Sequence, residues 1–184
     1  QLLDEEDWLT ASRGWKLDSE GDFRKALSGL RGIAEQKVAG AAVGALKSFS
    51  EANDKQFPTN LSQLQPYIDS PVDAATLAAI LQRWEILPAD ATIPGIGNKG
   101  PFITQKAAVD VLLDRRFATG RDGFACTDFL NSEIQDVMLP VYRAYDAANK
   151  GVPSADAAGY LPFAKTPEQQ AAVQKLLKQE EARQ

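Results

Sequence analysis

The chain has no histidine and only one cysteine and one methionine among its 184 residues. Without histidine it lacks the commonest general base, the commonest metal ligand and the usual partner of a serine or cysteine nucleophile. The single cysteine, Cys126, rules out an intrachain disulfide and a cysteine-rich metal site. No apolar run approaches the roughly 20 residues that a helix needs to span a bilayer. Basic residues are scattered, Arg115, Arg116 and Arg121 being the densest group. Twenty Lys and Arg stand against 25 Asp and Glu, a net charge of −5, which argues against nucleic acid and anionic membrane as partners. The composition names no cofactor, and an enzyme is the less favoured reading.

What is present is a globular core and a repeated pattern. Hydrophobic residues make up 44% of the chain, and a chain of this length buries roughly 70% of its unfolded surface without a metal or a disulfide. Residues 1–184 read as a single domain. Within it, ALKSFSEANDKQFPTNLSQLQPYIDSPVDAATL (45–77) and VYRAYDAANKGVPSADAAGYLPFAKTPEQQAAV (141–173) share landmarks. Phe49 matches Tyr145, Ala52-Asn53 matches Ala148-Asn149, and Pro58-Thr59 matches Pro153-Ser154. Pro66-Tyr67 matches Pro162-Phe163, and Ser70-Pro71 matches Thr166-Pro167. One compensating insertion and deletion hold the register, and a repeat of this kind bears on architecture before any motif does. Each copy reads as helix, turn, short helix, turn, helix. Asn tolerates the left-handed conformation at a helix end, proline stops the short segment, and Ser or Thr followed by Pro opens the last helix. Thr166 and Gln169 fit a capping box.

Along the rest of the chain, Asp18-Ser19-Glu20-Gly21-Asp22 reads as the entry of a long helix expected to reach about Asn53, with Phe23, Leu27, Leu30, Ile33, Val38, Val43, Leu46 and Phe49 as candidate core. Gly14 breaks the segment before it. Residues 60–67 and 71–86 read as helices, and Arg83-Trp84-Glu85-Ile86 as a continuation of the second. Residues 87–103 form a Pro- and Gly-rich loop. Thr104 is expected to cap a helix reaching Thr119, followed by a turn at 120–127. A helix from Asp128 to Ala148 follows, kinked or split at Pro140. No stretch shows convincing period-two alternation. The expectation is therefore an all-α helical bundle: a first unit over 19–86, a linker loop over 87–103 and a second unit over 104–184.

Few residues suggest chemistry. Gly95-Ile96-Gly97-Asn98-Lys99-Gly100 matches a glycine-rich phosphate loop, but prolines flank it, and such a motif needs a strand before it and a helix after it. As a loop it is still a candidate lining for a cleft. Asp110 and Asp114 are four apart and would neighbour each other on a 104–119 helix, next to Arg115. Cys126, near Phe124 and Phe129, reads as a packing cysteine. The candidate ligand or partner surface is thus Gly95, Gly97, Asn98, Lys99, Asp110, Asp114 and Arg115, with no catalytic, cofactor or metal residue assigned.

The stretch Phe49, Ala52-Asn53, Pro58-Thr59, Leu61, Leu64, Pro66-Tyr67 resembles a segment of uncharacterised bacterial proteins. It also resembles the region after the long helix in type IV pilin-like and pseudopilin proteins. The resemblance covers about 25 residues and implies an envelope setting. The apolar anchor and the sheet of a pilin head are not visible in this sequence, and no functional residue carries over. The absence of an initiating methionine suggests a trimmed chain or a mature one with its signal peptide removed. The resulting expectation is a periplasmic or secreted, non-enzymatic interaction or assembly protein, with a protein partner and a homo-oligomer among the options. The alternatives are a small-molecule binder with its cleft between the two units, a carboxylate-dependent enzyme without histidine, and a cytoplasmic location.

Overall fold

A computed structural model of the chain describes residues 2–13, 16–69, 72–96 and 101–184. Gly14, Ser70-Pro71 and Gly97 to Gly100 lie outside them. The order of elements is helix α1 (Glu5–Ser12), helix α2 (Glu20–Ala52), a 3₁₀ helix (Leu61–Tyr67) and helix α3 (Ala74–Leu81). Strands β1 (Trp84–Leu87), β2 (Phe102–Gln105), β3 (Arg115–Gly120) and β4 (Gly123–Asp128) follow. Helix α4 (Phe129–Asn149), a second 3₁₀ helix (Ala157–Phe163) and helix α5 (Pro167–Arg183) complete the chain.

The four strands form one antiparallel meander in the order β1-β2-β3-β4, so the fold is mixed α/β and the all-α expectation is wrong. The predicted 104–119 helix is replaced by β2, a loop and β3. The predicted 71–86 helix ends at Leu81, and Trp84 begins a strand instead of continuing it. The predicted turn at 120–127 is a two-residue turn followed by β4.

The long helix forms where the sequence places it, with Ser19 capping the Asp22 N–H. Its C-terminal half lies on one face of the sheet. Val38, Ala39, Ala45, Leu46 and Phe49 pack with Leu64, Trp84, Ile103 and Phe117 in the main core. The alanines keep that face of the helix thin, so it sits close enough for Thr119 Oγ1 to donate to the Ala39 carbonyl at 3.5 Å. The opposite face of the sheet carries Phe102 and Ala118 under Ile93 of the 88–96 loop. It also carries Arg116, whose guanidinium lies 5.2 Å from the Phe129 ring centroid at the start of α4. Burial pulls the Arg116 pKa down, with Glu85 and Glu133 opposing.

A second core is helical. Leu130, Ile134, Met138 and Val141 of α4 meet Ala164, Ala172 and Val173, with Val111 and Leu112 reaching in from the β2–β3 loop. Helix α4 is assigned without a break across Pro140. Thr166 makes the capping box with Gln169 that its spacing predicts. The cap of α3, by contrast, is Asp73.

Candidate interaction site

The β2–β3 loop, residues 106–114, decides the fate of the two carboxylates singled out in the sequence. Asp114 Oδ2 accepts the N–H groups of Val109 (3.0 Å) and Asp110 (2.8 Å), while Asp110 Oδ1 accepts that of Leu112 (3.1 Å). Side chains that capture nearby backbone N–H groups in this way compete with helix formation, which is why the segment turns instead of coiling.

The same carboxylates also fasten the loop to α2. Arg31 Nη2 donates to Asp114 Oδ1 at 2.7 Å, and Ser28 Oγ donates to the same oxygen at 2.8 Å. Arg24 pairs with Asp110, its Nη2 donating at 2.8 Å. Burial alone would raise the Asp110 carboxyl, but the Arg24 hydrogen bond and charge outweigh it and hold the pKa below the usual carboxylate range. Asp110 and Asp114 are therefore engaged as fasteners between the loop and α2.

Deeper along the same seam lies Glu35, with only 9% of its surface exposed. Its carboxylate stands 3.2 Å from Arg83 Nη2. Burial raises its pKa, while the Arg83 charge and the nearby Trp84 indole pull it down. The Trp84 Nε1 is buried and has no partner of hydrogen-bond geometry among the described residues.

Arg115, the remaining described cation of the predicted surface, takes a different position. It lies on the α2 side of β3 and donates from Nη2 to Cys126 Sγ on β4 at 2.7 Å. Here an open groove of about 390 Å³ runs between α2, β3 and the end of α5. Lys25, Arg115 and Arg183 line it, together with Ser28, Ile33 and Phe117. Arg183 also holds Asp128 at 2.9 Å. The groove joins residues 25–36 to residues 113–117 and 183, so it falls between the two units drawn from the sequence.

Gly95 is apart from this groove, on the other face of the sheet. Its φ of +82° suits glycine, and a Cβ there would stand 2.7 Å from Thr127 Oγ1, so its role is close packing. The glycine-rich segment leads into strand β2 and not into a helix, so it lacks the context of a nucleotide loop. Its other candidates, Gly97, Asn98 and Lys99, lie outside the described residues.

Sequence reasoning missed the N-terminal half of α2 as a surface. Phe23 and Leu27, one turn apart, are 53% and 50% exposed, and Val109 beside the Arg24–Asp110 pair is 66% exposed. The sequence signal was present, because these side chains continue the apolar spacing of the helix, but it reads as core until the sheet is seen to end short of them. Among the described residues no helix is long and apolar enough to cross a membrane. No family model matches the chain, and no curated protein or solved structure matches it either.

Proposed function

We propose that this chain is a non-enzymatic, extracytoplasmic assembly or interaction protein whose contact surface is the N-terminal half of α2. One observation carries the reading. The helix uses its apolar residues in two ways: from Val38 to Phe49 they are buried against the sheet, while Phe23 and Leu27 are left half-exposed. A soluble monomer gains nothing from holding large apolar side chains in water on a rigid helix, and such clusters mark interaction sites. The Arg24–Asp110 and Arg31–Asp114 pairs hold this half of the helix in place.

Two further points support the reading. The chemistry-bearing carboxylates of the loop are engaged as fasteners. The pilin-like resemblance of residues 49–67 in the sequence implies an envelope setting. The test is fractionation of the producing cells with the full-length protein, followed by native sizing. The reading expects the protein in the envelope or outside the cell, in assemblies larger than one chain. A cytoplasmic monomer, or a hydrolase or transferase activity lost on Asp110→Asn in a folded protein, would overturn it.

A further inference from the structure

Helix α3 packs on the Leu61–Tyr67 helix and on β1, and between it and α2 lies a cavity of about 460 Å³. Its floor is apolar. Val38 and Leu77 are buried there, and Leu2, Ile68 and Ile80 are partly buried against the main core. Gly40 of α2 lines the cavity with backbone alone. A Cβ at that position would meet nothing within 4 Å among the described residues, so the missing side chain keeps the space open. Volume and lining match those of small-molecule sites, which are mostly apolar with a few placed polar groups.

The charged residues of the lining are Asp4, Lys37 and Asp69. Lys37 is already taken: its Nζ pairs with Asp7 and lies 3.5 Å from Asp4. One ammonium between two carboxylates leaves an excess of negative charge on that side. Asp69 is exposed, and among the described residues no cation pairs with it. The cavity therefore joins an apolar floor to a net negative rim, in a chain whose overall charge of −5 also draws cations.

We propose that this cavity binds a free single-chain amine, an aliphatic body with an ammonium head. The aliphatic body lies on Leu2, Val38, Ile68, Leu77 and Ile80. The ammonium, charged at neutral pH as a lysine side chain is, stands by Asp69, which no described cation of the chain neutralises. Burial of the body supplies affinity, and the rim selects the head: a carboxylate on the same chain fits the floor and is repelled by Asp4 and Asp69. The site is distinct from the proposed contact surface, since Leu27 precedes Lys37 by about 15 Å along α2. It lies within residues 2–80, not in a cleft between the two units drawn from the sequence.

The experiment is calorimetric titration of the whole chain with decylamine, with decanoate and with methylamine, each below the concentration at which it forms micelles. The expected result is saturable one-to-one binding of decylamine, binding of decanoate weaker by about tenfold or more, and none of methylamine. Gly40→Leu fills the cavity and should abolish decylamine binding. It removes a glycine from a helix interior, so it should fold with unchanged circular dichroism and a melting temperature no lower than that of the parent. Asp69→Asn should weaken decylamine about threefold to fivefold, the scale of one exposed ion pair, and leave decanoate no weaker. The proposal is overturned by any of three results: no saturable binding of decylamine, equal binding of decylamine and decanoate, or indifference of decylamine binding to Gly40→Leu in a folded protein.

Discussion

Residues 45–77 and 141–173 fold alike locally and are used differently. In both, the asparagine after the helix donates its side-chain amide to the carbonyl four residues back: Asn53 to Phe49 at 2.8 Å, Asn149 to Tyr145 at 2.9 Å. Two left-handed residues follow in each, Asp54 and Lys55 or Lys150 and Gly151. The second of them returns its N–H to Ser50 or to Asp146. Each then forms a seven-residue 3₁₀ helix with proline at its sixth position. An edge-to-face aromatic pair closes each unit, Phe49 with Tyr67 at 5.7 Å and Tyr145 with Phe163 at 5.4 Å.

The packing diverges where the side chains differ. Leu46 and Leu64 of the first stretch are fully buried in the core shared with the sheet. In the same places the second stretch has Tyr142 and Tyr160, which meet edge-to-face beside Tyr145. Burial raises the pKa of both of these tyrosines, each further raised by a neighbouring tyrosine. Caps and turns thus set how each segment bends. Aliphatic or aromatic identity at two positions sets whether it joins a sheet or builds a helical core.

The sharpest way to break this comparison is to cut the same position in both stretches. Leu46→Ala should cost about 3 kcal/mol in chemical denaturation, the usual scale for a fully buried leucine. Tyr142→Leu should cost less than about 1.5 kcal/mol, because it retains apolar volume in a half-buried site. Next comes Asp114→Ala, which removes the anchor between α2 and the loop that carries Val111 and Leu112 into the second core. A loss of about 2–3 kcal/mol is expected, and probes in the two cores should cease to melt together.

Smaller effects separate the left-handed residues. Lys55→Gly should stabilise by about 0.5–1 kcal/mol, since it gives the first stretch the residue that the second already has, and Gly151→Ala should destabilise by about 1 kcal/mol. Equal costs of about 1 kcal/mol for Asn53→Ala and Asn149→Ala would show that the shared bond contributes equally in both settings.

The seam between α2 and the sheet adds a pH signature of its own. Glu35 has its pKa raised by burial, so the folded chain holds that proton to higher pH than the unfolded chain does. Its contribution is most favourable at low pH and declines as pH rises through the raised value. Asp110, held low, has the opposite sign: its contribution is present near neutrality and lost as pH falls through its lowered value. Glu35→Gln should therefore flatten the stability profile above the ordinary glutamate range, and Asp110→Asn should leave that window unchanged while removing part of the loss in stronger acid. Urea melts across pH would check both.

The helices were legible in the sequence because their signals are local. Ser19, Thr166 and the paired asparagines mark ends through bonds made within a few residues. The sheet was not legible. Strand β2, Phe-Ile-Thr-Gln, is buried on both faces and shows no alternation, and β1 has only four residues. Thr104, expected to cap a helix, spends its hydroxyl on the Phe117 carbonyl across the sheet. The run from Ala107 to Leu113 has helical spacing, but Asp110 and Asp114 take the backbone N–H groups at its start. Of the candidate site, Arg115 was visible as a charge. That Asp110 and Asp114 belong to Arg24, Ser28 and Arg31 was not, because those partners lie more than 80 positions away.

The central claim is that the exposed half of α2 is a contact surface and that the helical second core is not. The direct measurement is photocross-linking in the producing cells, with the photoreactive residue placed in the full-length protein at Phe23 or Leu27, and at exposed Val152 of the second stretch as the control. The account predicts discrete adducts larger than one chain from positions 23 and 27 and none from 152. Monomer alone at 23 and 27, or the same adducts from all three positions, would contradict it.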